Sequence, residues 1–593
     1  MKKIIIAFIV SLCVLIHFSL GLYAMQGDSA IVDELAHIPA GYSYVTLHDY
    51  RLNPEHPPLL KILSGLSLST QDLHFDTNEK SWSQDINGQW ESGWSFLYHQ
   101  GNDPDVILFY ARLPFLVISS LFVLLFFFIT RYLVGVRAAV LGTVLLAFSP
   151  TLLGHNHFVT TDVGVAILTF LSLFSVCYSL EKKTRVSFAV SALITGLALS
   201  AKFSAFLILP VIFLAYTVFT VRDVVAQKEK VHIKKVLYVL LKRAGELIVF
   251  MALAYTVVWL VYVFAMYNMP ADKIQELVTV AIPSKGLLQE LLLRFSSNPV
   301  LKYFVQYVVG FIMVLHRVDG GNTTFLLGNV TNQSFKWYFP FAFIVKETVG
   351  FLVLFALTIL VFTRSVSWNK LVSRFSSGRK AADWIIYTIK SLDVSQLFTI
   401  SSIVFVFIYL YFSITGNLNI GIRHLMPVLP FLYFITAKQI SIWLGSRFSW
   451  RTIFVGLCII GTVSSVIISA PYYLAYFNEL SGGRNSGYKL LTDSNLDWGQ
   501  DLVRLKKFMN DNNIPKIKLD YFGGGLPEHY LGTSYEKWSS QKGETSGWVG
   551  VSATYLQNSR WYHIHNNEPD YDWLRSKKPF TIIGGSILIY YIP

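Results

Sequence analysis

Charge is scarce in this chain of 593 residues: Asp, Glu, Lys and Arg make up 14% of it, against about a quarter in soluble domains. That shortage excludes an ordinary water-soluble domain, since 53% of the residues are hydrophobic and need an apolar solvent. Cysteine is nearly absent. The three present, Cys13, Cys177 and Cys458, all fall in apolar runs, where cysteine behaves as a small hydrophobe. A disulfide framework and a thiolate metal site are therefore not expected. There is no repeat of 20–50 residues and no low-complexity tract, which excludes a solenoid.

Acids are fewer than bases, and the formal net charge is +13. The bases gather in short connections between apolar runs: Arg131 with Arg137; Lys182, Lys183 and Arg185; Lys228, Lys230, Lys234, Lys235, Lys242 and Arg243; Arg364, Lys370, Arg374, Arg379 and Lys380. That is the positive-inside pattern of a membrane protein, so no nucleic-acid partner is expected.

What is abundant is apolar sequence in long runs. A hydrocarbon core of roughly 30 Å needs about 20 residues per helix, and from Ile4 to Ala470 about eleven runs suffice. The first follows Lys2 and Lys3 and is longer than the roughly 7–15 apolar residues of a cleavable signal. It reads as a retained anchor with the N-terminus in the cytoplasm. Alternation then puts 26–104, 150–157, 268–335, 415–423 and everything after about 474 outside. The fold expected is mainly α and polytopic: a transmembrane domain over 1–473, including outer loop 26–104, and a small extracytoplasmic α/β domain over 474–593.

Two regions break the rhythm of runs and connectors. In the first outer loop, Ile31, Leu35, Ile38 and Tyr42 form one helical stripe. Ser29 can cap that helix and Pro39 should kink or end it. Such a helix would lie along the membrane surface with Asp33, Glu34 and His37 on its polar side. Near the C-terminus, Tyr488–Leu491, Ile517–Phe522, Val549–Thr554 and Phe580–Tyr591, the last folded by Gly584-Gly585, read as strands. Leu502, Leu505, Phe508 and Met509 make a helical stripe between them.

Several constellations suit chemistry. Asp33 and Glu34 are adjacent carboxylates able to act as general base, with His37 one turn away; a solvated helix face is the plainer reading. Asn53-Pro54-Glu55-His56-Pro57-Pro58-Leu59-Leu60-Lys61 brings acid, imidazole and ammonium onto a stiff backbone that starts a second surface helix, or is an ordinary proline-capped loop. Gly154-His155-Asn156-His157 leads to Asp162 at the outer end of the fourth span, where an ionisable group is costly and a functional candidate. Arg112, Lys202, Arg423 and His424 stand on the outer side, against the charge bias. They suit an anionic partner such as a lipid phosphate, or snorkel to headgroups. Glu55, His56, His155 and His157 offer zinc ligands if they meet. Asp493-x-Asn495-x-Asp497 is a poor calcium loop, because Trp498 takes the glycine position and Arg504 that of the closing glutamate. It reads as a loop capping the helix of Leu502 and Leu505.

These pieces, in this order over 1–470, resemble membrane glycosyltransferases of the C-type (GT-C) fold, of the family-39 kind that includes protein O-mannosyltransferases and lipid A aminoarabinose transferases. The resemblance matches an Asp-Glu pair in the first outer loop to Asp33-Glu34, and an acid-basic-Pro-Pro-Leu segment to Glu55-His56-Pro57-Pro58-Leu59. It matches Arg-Leu-Pro to Arg112-Leu113-Pro114 and a second-loop acid to Asp162. A base near the sixth span matches Lys202, and Gly-x-Arg-His-x-x-Pro matches Gly421 to Pro427. It implies inverting transfer of a sugar from a polyprenyl-phosphate donor to a glycan, lipid or protein acceptor at the outer face of a bacterial inner membrane. Asp33, Glu34 and Asp162 would be catalytic. Arg112, Lys202, Arg423, His424, His56 and Lys61 would face the donor phosphate. The residues after Tyr476-Phe477-Asn478-Glu479-Leu480 do not resemble the sugar-binding modules of eukaryotic mannosyltransferases. A flippase or transporter, or an O-antigen-ligase-like transferase, are the alternatives; a transporter would show pseudo-symmetric halves and mid-membrane charges.

Overall fold

In the computed structural model, residues 2–225, 233–365 and 389–593 are described. Lys228, Lys230, Lys370, Arg374, Arg379 and Lys380 lie outside them.

Among the described residues, eight helices are long and apolar enough to span a membrane, the first Lys3–Gly27 and the last Trp450–Ile468. With the shorter apolar helices Val136–Ala147, Arg185–Leu199 and Val349–Arg364, they account for the runs expected from sequence. One end of the bundle carries the basic connectors. There Lys183 pairs with Asp223 at 3.1 Å, Arg222 with Glu181 at 3.1 Å and Arg243 with Glu246 at 2.5 Å. The opposite end gathers the start of Asp162–Lys182, the start of Ile422–Leu444 and the first long connection.

That connection folds inward. After α1 (Lys2–Gly27), helix α2 (Val32–Thr46) is buried from Glu34 to Tyr44 on every side, so it is not the half-exposed surface helix its stripe predicts. It crosses α3 (Leu59–Leu68) at two glycines. A Cβ on Gly41 would strike the Lys61 carbonyl, and one on Gly65 the Gly41 carbonyl. Pro39 does not end α2. Proline cannot donate to the Leu35 carbonyl, and the backbone of Gly93 packs against that carbonyl instead.

The C-terminal region is an α/β unit. Its five strands are β3 (Ile517–Asp520), β4 (Tyr535–Lys537), β5 (Gly547–Ser552), β6 (Thr581–Ile583) and β7 (Ile587–Ile592), in the order β4-β3-β5-β7-β6. β3 runs parallel to β4 and β5, and β7 antiparallel to β5 and β6. The segment Tyr488–Leu491 is not a strand. Arg484–Lys489 coils into 3-10 turns, and Leu491 makes a single bridge to Leu326, at the hairpin of β1 (Thr324–Leu326) and β2 (Asn329–Thr331). Val549, Leu588 and Tyr590 share one apolar core with Phe122, Phe170 and Phe431 of the spans, so the sheet and the bundle are parts of one continuous core.

Candidate functional site

The adjacent acids of α2 diverge. Glu34 is fully buried and grips Arg112 with both oxygens, Nε to Oε1 at 2.8 Å and Nη2 to Oε2 at 2.7 Å. It also accepts the amides of Ile31 and Val159 at 3.1 and 3.2 Å. Arg112 spends its remaining reach on the carbonyls of Asp28 and Ser29 at 2.7 and 2.9 Å. This is a closed clamp on the turn that starts α2. Asp33, one residue earlier, keeps a side chain 24% exposed and takes Arg423 Nη1 on Oδ2 at 2.7 Å. Its Oδ1 has no protein donor among the described residues.

Arg423 reaches a second carboxylate with the same nitrogen, Asp162 Oδ2 at 3.3 Å, and Asp162 Oδ1 takes Lys202 Nζ at 2.6 Å. Asp33, Arg423, Asp162 and Lys202 thus form one chain of alternating charge, drawn from α2 and three spans. The pairing pays for burial: a carboxylate sunk to 1% exposure like Asp162 is stable only when paired and hydrogen-bonded. His56 borders this chain. Burial drives its imidazole well below the ordinary value, and His37, Lys202 and Lys61 add to the effect, so it stands there neutral.

Lys61 is elsewhere occupied. Its ammonium donates to Asn53 O, Asn53 Oδ1 and His56 O at 2.8, 2.7 and 2.8 Å, which satisfies all three protons and fixes the Pro54–Pro58 turn. His37 Nδ1 pairs with the Val159 carbonyl at 2.8 Å, with its ring 5.7 Å from that of His56.

The proposed zinc ligands are not brought together. Among the described residues no three His, Cys, Asp or Glu side chains form a metal-binding group. Glu55 is held by Gln89 at 2.9 Å and Asn87 at 3.3 Å. His157 bonds Asp28 at 2.9 Å. His155 bonds the Thr151 carbonyl at 2.9 Å, 6.0 Å from the Trp498 ring, and burial lowers its imidazole to about 4.

Sequence reading missed the loop that closes the site. The loop Asp493-Ser494-Asn495-Leu496-Asp497-Trp498 closes over Arg423: Ser494 Oγ accepts from Nε at 3.0 Å, and the guanidinium lies 4.1 Å over the Trp498 ring. Asn495 Oδ1 accepts the Ile422 amide at 2.8 Å, and a Cβ at Gly421 would strike Ser494 Oγ. Ser29 does not cap α2; its hydroxyl donates to the Gly499 carbonyl at 2.7 Å and accepts the Leu502 amide at 3.0 Å. It caps the C-terminal helix Leu502–Asp511 instead. The signal was the density of polar residues around one Trp in 493–501, which a solvent-exposed cap does not need.

The fold and this cluster define a polytopic membrane protein with a paired-charge site at one end of its spans. Residues 106–251, which hold Arg112, Asp162 and Lys202, match the profile of the dolichyl-phosphate-mannose-protein mannosyltransferase family, and over that segment the match bears out the resemblance drawn from the motifs. No curated protein sequence matches the chain. Among solved structures, the chain is similar to the archaeal oligosaccharyltransferase AglB from Archaeoglobus fulgidus, in complex with an inhibitory peptide and a dolichol-phosphate. Identity is 12% and the TM-score 0.46, covering 94% of this chain and 71% of that one. It is also similar to ArnT from Cupriavidus metallidurans bound to undecaprenyl phosphate, with 11% identity and a TM-score of 0.40, covering 98% of this chain and 97% of that one.

Proposed function

We propose that the chain is an inverting glycosyltransferase that takes a sugar from a polyprenyl-phosphate donor and passes it to a glycan, lipid or protein acceptor at the extracytoplasmic face. The observation that carries this reading is the Asp33–Arg423–Asp162–Lys202 chain: a partly exposed carboxylate with one oxygen unoccupied, beside two cations anchored by a buried acid.

Asp33 removes the acceptor hydroxyl proton through Oδ1 as the acceptor oxygen attacks the anomeric carbon. The bond to the carrier phosphate breaks on the opposite side through an oxocarbenium-like state. The carrier leaves as a stable anion, so it needs positive charge rather than a protonated acid. Arg423, whose Nη2 has no protein acceptor among the described residues, and Lys202 supply it, at about 2.7–4 kcal/mol per well-placed donor. Asp162, bonded to both, holds the two cations side by side. Glu34 and Arg112, with their hydrogen bonds closed on each other, act by fixing the position of Asp33. No step is assigned to a metal.

The test is to incubate purified protein with a panel of polyprenyl-phosphate sugars and candidate acceptors. Asp33→Asn is expected to abolish transfer while carrier lipid still binds, because Arg423 keeps Asp162. Turnover by that variant near the wild-type rate would remove Asp33 from the mechanism.

A further inference from the structure

A cleft of about 310 Å³ opens where the last span Trp450–Ile468 meets the segment 472–485. It shares no residue with the Asp33 cluster. Its polar walls are Ser465, Ser469, Tyr472, Tyr476, Glu479 and Arg484. Ile468 in its lining is 82% exposed, and its chain neighbour Ile467 and Leu480, next to Glu479, are 50% and 80% exposed. These are apolar shoulders of the kind that meet acyl chains at a membrane interface.

Two opposite charges line this cleft without meeting each other or any other charged group among the described residues. The Arg484 guanidinium lies over the Tyr472 ring at 3.9 Å; its Nε is closed off from solvent without a hydrogen-bond partner, and its terminal nitrogens have no protein acceptor among the described residues. Glu479 receives only the Ser465 hydroxyl, at 2.5 Å, which also meets the Tyr476 hydroxyl at 2.8 Å. A half-buried guanidinium whose terminal nitrogens have no acceptor is costly, and that planar pair suits a phosphate. The carboxylate in the same cleft repels a bare phosphate but accepts from an N–H donor a few bonds away from one.

The geometry points to a binding site for a phospholipid headgroup that joins a phosphate to a primary ammonium, as in phosphatidylethanolamine. Arg484 takes the phosphate, Glu479 the ammonium, and the Ile467–Ile468 shoulder the start of the acyl chains. The site is independent of the proposed transfer chemistry.

The test is native mass spectrometry of the full chain, delipidated in detergent and then offered dioleoyl-phosphatidylethanolamine, dioleoyl-phosphatidylcholine, or glycerophosphoethanolamine, which is the headgroup without acyl chains. Wild-type protein is expected to retain the ethanolamine lipid about tenfold over the choline lipid, which has no N–H for Glu479. Glu479→Gln is expected to lose that preference, and Arg484→Gln to lower the retention of both lipids. Ser469→Trp, which fills the cleft and leaves both charges in place, is expected to lose the preference as well, and serves if Arg484→Gln does not fold. Equal retention of the two lipids by wild-type protein would overturn the assignment. So would undiminished retention in Arg484→Gln, full preference in Glu479→Gln or Ser469→Trp, or displacement of the lipid by an equal concentration of glycerophosphoethanolamine.

Discussion

Glu34 and Arg112 are buried together, at 0% and 1% side-chain exposure, where each is tolerable only because the other is there. Removing one partner of such a pair leaves an uncompensated charge and costs about 3–5 kcal/mol. Glu34→Gln is therefore expected to lower the melting temperature in detergent sharply, whereas Asp33→Asn, one residue away and partly solvated, leaves it nearly unchanged. Equal melting of the two variants would show that the clamp holds nothing. Asp497 offers a second test at this scale. Burial pushes its carboxyl up to about 8, against the opposing hydrogen bond from the Thr554 amide. A carboxyl whose folded value exceeds its unfolded one, near 3.9, contributes stability that is complete below the lower value and is lost as pH rises through the upper. Stability is expected to fall from about pH 4 to about pH 8, and Asp497→Asn to flatten that slope. A variant with the wild-type slope would assign the dependence to another group.

Among the elements, the crossing of α2 and α3 decides where Asp33 stands. Because Gly41 and Gly65 each face the backbone of the other helix, Gly41→Ala forces the helices apart. The expected cost is about 1–3 kcal/mol, with transfer falling more than stability does; thermal melting and initial rates on the same preparation check this. The sequence allowed much of this level to be read. Apolar length located the spans, because the bilayer imposes it, and α3 began after Pro58 as its prolines require. The burial of α2 was not legible from its stripe. Amphipathic periodicity reports that two faces differ, and here the polar face meets protein instead of water: Glu34 meets Arg112, and His37 meets the Val159 carbonyl. The same limit hid the contacts of Arg112, which the sequence grouped with the phosphate cations by side, charge and its Arg-Leu-Pro motif.

For the whole molecule, the site and the α/β region lie at the end of the bundle away from the basic connectors, which the positive-inside bias assigns to the cytoplasm. A cysteine introduced at exposed Gln541 is then expected to react with a membrane-impermeant maleimide on intact cells, and one at exposed Arg447 only after lysis. The reverse labelling would invert the orientation. Contacts at this range were the least legible from the sequence. Nothing local to Ser494 or Trp498 announces Arg423 as a partner, since loops bring such residues together only in the finished fold. The bond from the Leu502 amide to Ser29 Oγ crosses 473 positions of chain. At roughly 5–20 residues per second of synthesis, the turn that sets Asp33 waits tens of seconds for the residues that close it. On the proposed reading, a chain that stops short of residue 494 has its spans but not the loop that closes over Arg423, and is expected to be inert.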